Sequence, residues 1–343
     1  MVKGFWPLVQ MRAVAAHRPI IALAPMADVT DVVFRDLISR YSRMGQNGGG
    51  PDVMWTEFVS ADGLCSPGRE VLKYDLQYGE HERPIVAQLF TADPDNMYKA
   101  VEMCRELGFD GVDINMGCPV GTIVDQGAGS AMILDPERAI AVIKAAQAAA
   151  GEIPVSVKTR IGYNKVEYKL WLPHILSCNI PVLTIHLRTR KEMSAVPAHW
   201  ELFKEIRDFC HELSPETIII GNGDVIDLID AQNKYDDPDI YADGVMIGRG
   251  VFGRPWVFDW DRKVEPSLEE KLTIMLEHTR LYLERLGNIK SFAIMKKHYK
   301  AYVNGFDGAK ELRMSLMECD SYEEVEQIVL QFKTKETGKK IFD

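Results

Sequence analysis

Residues 218–224 read Ile218-Ile219-Ile220-Gly221-Asn222-Gly223-Asp224: a β-branched run suited to a strand buried on both faces, then glycine and polar residues where the strand must end. Seven further runs share that design, at 20–26, 53–60, 84–90, 111–117, 155–160, 182–188 and 244–250, and successive runs begin 26 to 44 residues apart. Such an interval holds one helix and two loops, which is what parallel strands joined by crossover helices require. Helix signals fill the intervals. Asp93-Pro94 and Asp135-Pro136 each set a capping carboxylate before a proline suited to a first turn. Thr30 precedes an apolar stripe of Val33, Phe34, Leu37, Ile38 and Tyr41. Eight strand–helix units in series predict an α/β fold, a (β/α)8 TIM barrel, with an open doubly wound sheet as the alternative.

Beyond Gly253 the pattern is helical only. Leu272, Met275, Leu276, Thr279, Leu283 and Leu286 form one stripe, Phe292, Met295, Tyr299 and Val303 a second, and Val325, Ile328, Val329 and Phe332 a last. With the short segment around Leu312 and Leu316 they predict a small C-terminal helical bundle of about four helices. The expected domains are an N-terminal extension (1–18), the barrel (19–262), the helical domain (263–335) and a tail (336–343). The Gly/Asn-rich stretch 45–51 reads as a flexible, tolerated insertion rather than a phosphate cradle.

A chain of 343 residues, 46% hydrophobic and 26% charged, can build a large core, which excludes a disulfide-stapled miniprotein and extended disorder. Forty basic against fifty acidic residues, net −10, exclude a protein coated throughout in nucleic-acid-binding charge. No apolar run approaches a membrane span and no signal peptide is recognisable, so a cytoplasmic location without membrane contact is expected. The six cysteines include no Cys-x-x-Cys pair, so neither a metal site nor a disulfide framework is expected.

Barrel enzymes work at the carboxyl ends of their strands, where the loops converge on one mouth. The predicted strand ends here carry Pro25 and Met26, Glu57, Gln88, Asn115 with Cys118, Lys158 with Arg160, His186 with Arg188, Asn222-Gly223-Asp224, and Gly248-Arg249. Any one of these is ordinary; eight ends converging on amides, cations, an imidazole and a thiol are hard to explain by packing. Gly-containing ends in the seventh and eighth units suit a phosphate held by backbone N–H groups, with Arg249 adding charge. Lys158 suits an electron-rich ring edge and Gln88 a paired donor and acceptor, a set that fits flavin mononucleotide (FMN).

Ala24-Pro25-Met26, Thr30-Asp31, Phe34-Arg35 and Asn115-Met116-Gly117-Cys118-Pro119 closely resemble the dihydrouridine synthases, flavoproteins that reduce uridine in tRNA. The resemblance runs on through Lys158-Thr159-Arg160, His186-Leu187-Arg188-Thr189-Arg190, Asn222-Gly223-Asp224 and Gly248-Arg249-Gly250. It implies hydride transfer from flavin N5 to uracil C6, with Cys118 protonating C5 from the opposite face. It assigns Pro25, Met26 and Ala27 to a wall against the ring, Gln88 and Lys158 to its polar edge, His186 to a further contact, and Asn222, Gly223, Asp224, Gly248 and Arg249 to the phosphate end. Asn115 would orient the uracil, with Glu57, Arg160 and Arg188 as supporting or substrate groups, and Glu57 equally a structural partner for a barrel cation. NADPH is implied as reductant by the resemblance alone, since no dinucleotide fingerprint opens a helix. Two departures stand out: residues 120–125 lack the basic residue common after Gly-Cys-Pro, and His199 precedes Trp200 where the family commonly has an acid.

Residues 290–313 hold six basic and two acidic residues, a local net of +4 within an acidic chain. Lys296, Lys297 and Lys300, interleaved with His298, Tyr299 and Tyr302, are therefore expected to contact the RNA backbone. The rival readings are a synthase acting on rRNA, a flavin barrel acting on a small molecule, and an RNA-binding protein that retains the barrel without turnover.

Overall fold

A computed structural model of the protein describes residues 4–339, with side chains to residue 334. The expected tail at 336–343 lies outside the described side chains, and residues 340–343 lie outside the described chain. Eight strands form: β1 (Ile20–Leu23), β2 (Met54–Ser60), β3 (Ile85–Phe90), β4 (Gly111–Asn115), β5 (Val155–Arg160), β6 (Val182–His186), β7 (Ile218–Asn222) and β8 (Gly244–Ile247). Each pairs in parallel with its sequence neighbour from β2 to β8, and β8 pairs with β1. A bridge between Ala22 and Val53 then closes the ring, giving a (β/α)8 barrel rather than an open sheet. Most strands end earlier than their apolar runs suggest. Their last polar residues leave the ladder to build loops, as where β7 stops at Asn222 and leaves Gly223 and Asp224 beyond it.

The capping signals act as the sequence predicts: the Asp93 carboxylate accepts from the amides of Asp95 and Asn96 at the head of the Pro94–Glu106 helix, and Asp135 from Arg138 on the Pro136–Ala150 helix. Thr30 also pins the turn after β1, its hydroxyl accepting from the Met26 amide (2.9 Å).

The N-terminal segment is part of the barrel. Its helix, Trp6–Ala15, buries Trp6, Val9 and Ala13 in one cluster with Ile20, Val53, Trp55, Val182 and Ile218, mostly first residues of strands, and so plugs the floor. Arg18 donates to both carboxylate oxygens of Asp52, which also accepts from the Ile21 amide (2.8 Å), fixing where the segment enters β1.

The chain divides into two compact units, residues up to 32 with 51–250, and residues 33–50 with those from 251 onward. The second contains the helices Val32–Tyr41 (from residue 33), Leu268–Leu286, Met295–Tyr302, Ala309–Glu318 and Tyr322–Lys339. The glycine-rich stretch read as a flexible insertion is tied down within this unit: Gly48 accepts from the Trp260 amide (2.9 Å), Gly50 donates to Ser42 (2.7 Å), and Arg43 pairs with Asp259 and Asp261.

The buried face of Leu268–Leu286 is rotated from the aliphatic stripe, because His278 and Tyr282 are inside while Leu276 and Leu283 are only half-buried. His298, Tyr299 and Tyr302 are likewise buried, so they build core and do not alternate with the lysines on one surface. His278 lies 4.4 Å from His298 between ring centroids, with Phe34 stacked on His278 at 5.1 Å. The Nε2 of His278 and both ring nitrogens of His298 find no hydrogen-bond partner among the described residues. Burial pushes both pKa values far down, that of His298 to about 3 with help from the Lys297 charge.

Both imidazoles are therefore neutral in the fold and gain protons on unfolding. Their folded pKa values lie below the unfolded one near 6.5, so stability is full above that pH and falls as pH drops from there toward 3. The loss should be about 1.4 kcal/mol per pH unit for each histidine. Thermal unfolding of the second unit is expected to shift to lower temperature below about pH 6.5, and His298→Phe should remove about half of that dependence. A wild-type midpoint unchanged across the same interval would contradict this reading.

Candidate active site

At the carboxyl ends of the strands a cavity of about 580 Å³ opens, lined by side chains from all around the ring. Pro25 and Met26 form one wall after β1. Ala27 does not line the cavity; it sits exposed in the turn that Glu57 holds by accepting from the Asp28 amide (2.6 Å). Glu57 is thus placed as a brace for this turn.

Gln88, Asn115 and Cys118 form the next sector. Asn115 donates through Nδ2 to Gln88 Oε1 (3.0 Å), and its Oδ1 accepts from the amides of Gly117 (3.1 Å) and Cys118 (2.8 Å). The loop carrying the thiol is therefore held by a side chain from the strand end before it. Burial raises the Cys118 pKa against the lowering effect of the Val120 amide, Arg160 and Lys158. The thiol keeps its proton at neutral pH, the form a general acid needs.

Lys158 and Arg160 project from β5. Burial pushes the Lys158 pKa down to about 8, helped by Arg160, and its Nζ donates to Asn222 Oδ1 (3.0 Å). Arg160, its pKa brought down to about 10 by burial, donates through Nε to the carbonyl of Gly117 (2.6 Å) and through Nη1 to that of Thr189 (3.1 Å). One guanidinium thus ties the cysteine loop to the loop after β6.

Arg188 is buried and fully engaged, donating to the Val196 carbonyl (2.6 Å), to Asp224 and to His186 Nε2 (3.1 Å). Burial and the charges of Lys158, Arg160, Arg188 and Arg249 keep His186 neutral, so its Nε2 accepts from Arg188 and Nδ1 carries the proton. Burial disfavours the Asp224 carboxylate, but Arg188, the Ala198 amide and Arg249 together hold its pKa below the usual range.

Two glycines at this end differ in kind. Gly223 sits at φ +130°, where a Cβ would come within 2.7 Å of the Ala198 Cβ, so the fold itself demands glycine. At Gly248 a Cβ would meet nothing nearer than 3.6 Å, so packing does not demand it, and the space beside Arg249 is open to a ligand.

The sequence reading missed Phe58, Met193, Ser194 and Ile226, which also line the mouth. Phe58 lies on β2 and reads as an ordinary strand residue, and Met193, Ser194 and Ile226 lie in loops, where a lone Met, Ser or Ile carries no chemical signature in sequence. Lys296, Lys297 and Lys300 lie in the second unit, where they line a separate depression of about 540 Å³ with Phe252, Ala293 and Ala301. Lys296 also pairs with Asp320 (3.1 Å). Among the described residues, no group of three or more His, Cys, Asp or Glu side chains could hold a metal ion, and no helix is long and apolar enough to cross a membrane.

A barrel with a thiol, four cations and a neutral imidazole gathered at its strand ends is built as an enzyme of the TIM-barrel class. The family model described as dihydrouridine synthase (Dus) matches residues 22–337. A probable tRNA-dihydrouridine synthase 2 of Bacillus subtilis (strain 168) is 42% identical over 338 residues, 98% of either chain. A probable tRNA-dihydrouridine synthase of Staphylococcus aureus (strain MRSA252) is 39% identical over 324 residues, 93% of this chain and 94% of that one. The chain belongs to the dihydrouridine synthase family and is an oxidoreductase. Among solved structures, a 2-naphthoyl-CoA reductase complex superposes with a TM-score of 0.50 at 11% identity, over 69% of this chain. The chain spans about half (49%) of that structure's length, and the likeness is one of fold.

Proposed function

We propose that the protein reduces uridine in tRNA to 5,6-dihydrouridine, with FMN as cofactor and NADPH as reductant. The observation that carries this reading is the placing of Cys118, on a loop fixed by Asn115, in one cavity with Lys158 and the Gly248-Arg249 turn, where burial raises the thiol pKa. When bound, FMN would supply the hydride chemistry at C6 of the uracil, with NADPH as the source of the electrons. Lys158 and His186 would hold its ring, with Gln88 behind; Asn222, Gly223, Asp224, Gly248 and Arg249 would hold its phosphate end; Pro25 and Met26 would wall it. Cys118 gives its proton to C5, and Asn115 keeps the loop in place for that transfer. Arg160 favours negative charge beside the thiol and braces both loops over the mouth.

A stacked uridine must leave its stack to enter such a cavity, at a cost of a few kcal/mol that backbone contacts elsewhere offset. The Lys296, Lys297 and Lys300 depression is suited to phosphates. Lys296→Glu with Lys297→Glu is expected to weaken tRNA binding and flatten its salt dependence, by a slope of about 1 for each phosphate no longer neutralised. Identical binding isotherms for wild type and variant across a salt series would remove this surface from the account.

The test of function is spectroscopic. Anaerobically, NADPH should bleach the flavin band of the purified holoenzyme, and tRNA lacking modifications should restore it. Restoration by rRNA fragments but not by tRNA would move the assignment to rRNA. Restoration by neither would leave the reading without a substrate and overturn it.

A further inference from the structure

Asp113 on β4 lies wholly inside the barrel and does not line the cavity, yet it begins a chain of hydrogen bonds that ends at the cysteine loop. Strand register makes it the direct neighbour of Gln88 on β3 and of Ser156 on β5. Its Oδ2 accepts from Gln88 Nε2 (2.6 Å) and its Oδ1 from Ser156 Oγ (2.6 Å). Gln88 Oε1 accepts from Asn115 Nδ2 (3.0 Å), and Asn115 Oδ1 accepts from the Gly117 and Cys118 amides.

The two side-chain amides of this chain can each be turned end for end at almost no cost in shape, so something must set their direction. A carboxylate can only accept. We infer that Asp113 is a positioning residue that holds the relay in one direction from its buried end: it accepts from the NH2 of Gln88 and so presents the Gln88 oxygen to Asn115, in agreement with the Gly117 and Cys118 amides, which can only donate and fix the Asn115 oxygen from the other end. With the relay reversed, the NH2 of Asn115 would face two amide donors, and the loop would lose its anchor.

Burial raises the pKa of Asp113 to about 6, while the Ser156 and Gln88 donors and the Lys158 charge act against it. It is therefore a carboxylate under slightly alkaline assay conditions. The inference rests on the proposed reaction, since it concerns the donor of the C5 proton.

The test compares the wild-type holoenzyme with Asp113→Asn and with Asp113→Asn combined with Gln88→Glu, following flavin bleaching by NADPH and dihydrouridine formation separately in single turnovers. In the single variant the carboxamide at position 113 can turn its NH2 toward Gln88 and set that end of the relay against the end held by the Gly117 and Cys118 amides; uridine reduction is expected to fall by on the order of 10²-fold, the scale of a misplaced reacting group, while bleaching by NADPH changes little. The double variant moves the obligate acceptor one step along: the carboxylate introduced at position 88 accepts from the amide introduced at position 113 and from Asn115, restoring the direction at Asn115. Uridine reduction should then recover at least tenfold, the reverse of what a general loss of packing would give.

Equal uridine reduction by Asp113→Asn and wild type overturns the inference, as does a double variant no faster than the single one. If the single variant fails to fold, the double variant carries the test against wild type, and its inactivity counts against the relay. Absence of dihydrouridine from the wild type is a different failure, which falls on the proposed function.

Discussion

Replacing Cys118 by alanine is expected to slow dihydrouridine formation by about 10²–10⁴-fold, the usual worth of a positioned general acid. Flavin content and bleaching by NADPH should stay as in wild type. The separation follows from the geometry: the loop is held by backbone amides on Asn115 and by Arg160 on the Gly117 carbonyl, none of which uses the sulfur. Alanine should leave the loop where it is and remove only the proton. The pH dependence carries a sign as well. The acid form is the active one and burial raises the thiol pKa above its ordinary value, so the uridine-reducing step should stay level through neutral pH and fall only in the alkaline range, where Lys158, its pKa brought down to about 8, gives up its charge as well. An alanine variant with wild-type product formation would remove Cys118 from the mechanism.

Trp6→Ala should be the most destabilising single change in the N-terminal segment. The indole is 1% exposed, packs 6.0 Å from the Trp55 ring between centroids, and shares a cluster with the first residues of several strands. Truncating such a side chain costs about 3–5 kcal/mol through lost transfer energy and the cavity left behind. Chemical denaturation should show that loss, with the flavin site otherwise unchanged in the folded protein. A variant within about 0.5 kcal/mol of wild type, the scale of surface substitutions, would show that the helix does not plug the floor as described.

These two positions mark how unevenly the sequence can be read. The barrel was legible because eight β-branched runs at helix-sized intervals allow few other folds, and because buried parallel strands must be apolar on both faces. Asn115, Cys118, Lys158, His186 and the Asn222-Gly223-Asp224 turn were legible because polar groups at strand ends stand out against those runs. Residues 1–18 carried no such contrast: Trp6, Val9 and Ala13 make a short apolar spacing that takes on meaning only when the strand starts lie beneath it. The helical unit misled in the opposite way. The hydropathy stripes took in Tyr299 but passed over His278, His298 and Tyr302, which are core as well, because stacking on Phe34 and on one another shields their rings from water. The same misreading set aromatic rings among the lysines of a surface that in fact presents Lys296, Lys297 and Lys300 beside Phe252 and alanines. Asp113 was invisible for a third reason: a lone acid inside a strand pattern gains significance only from its register with Gln88 and Ser156.

The most direct test of the account is product analysis. Wild-type holoenzyme and NADPH are incubated anaerobically with tRNA lacking modifications, the tRNA is digested to nucleosides, and dihydrouridine is read by mass spectrometry. The account predicts that dihydrouridine forms, dependent on NADPH and heavier than uridine by the two hydrogens added at C5 and C6. Holoenzyme that consumes NADPH and leaves every uridine of the tRNA unchanged would contradict it.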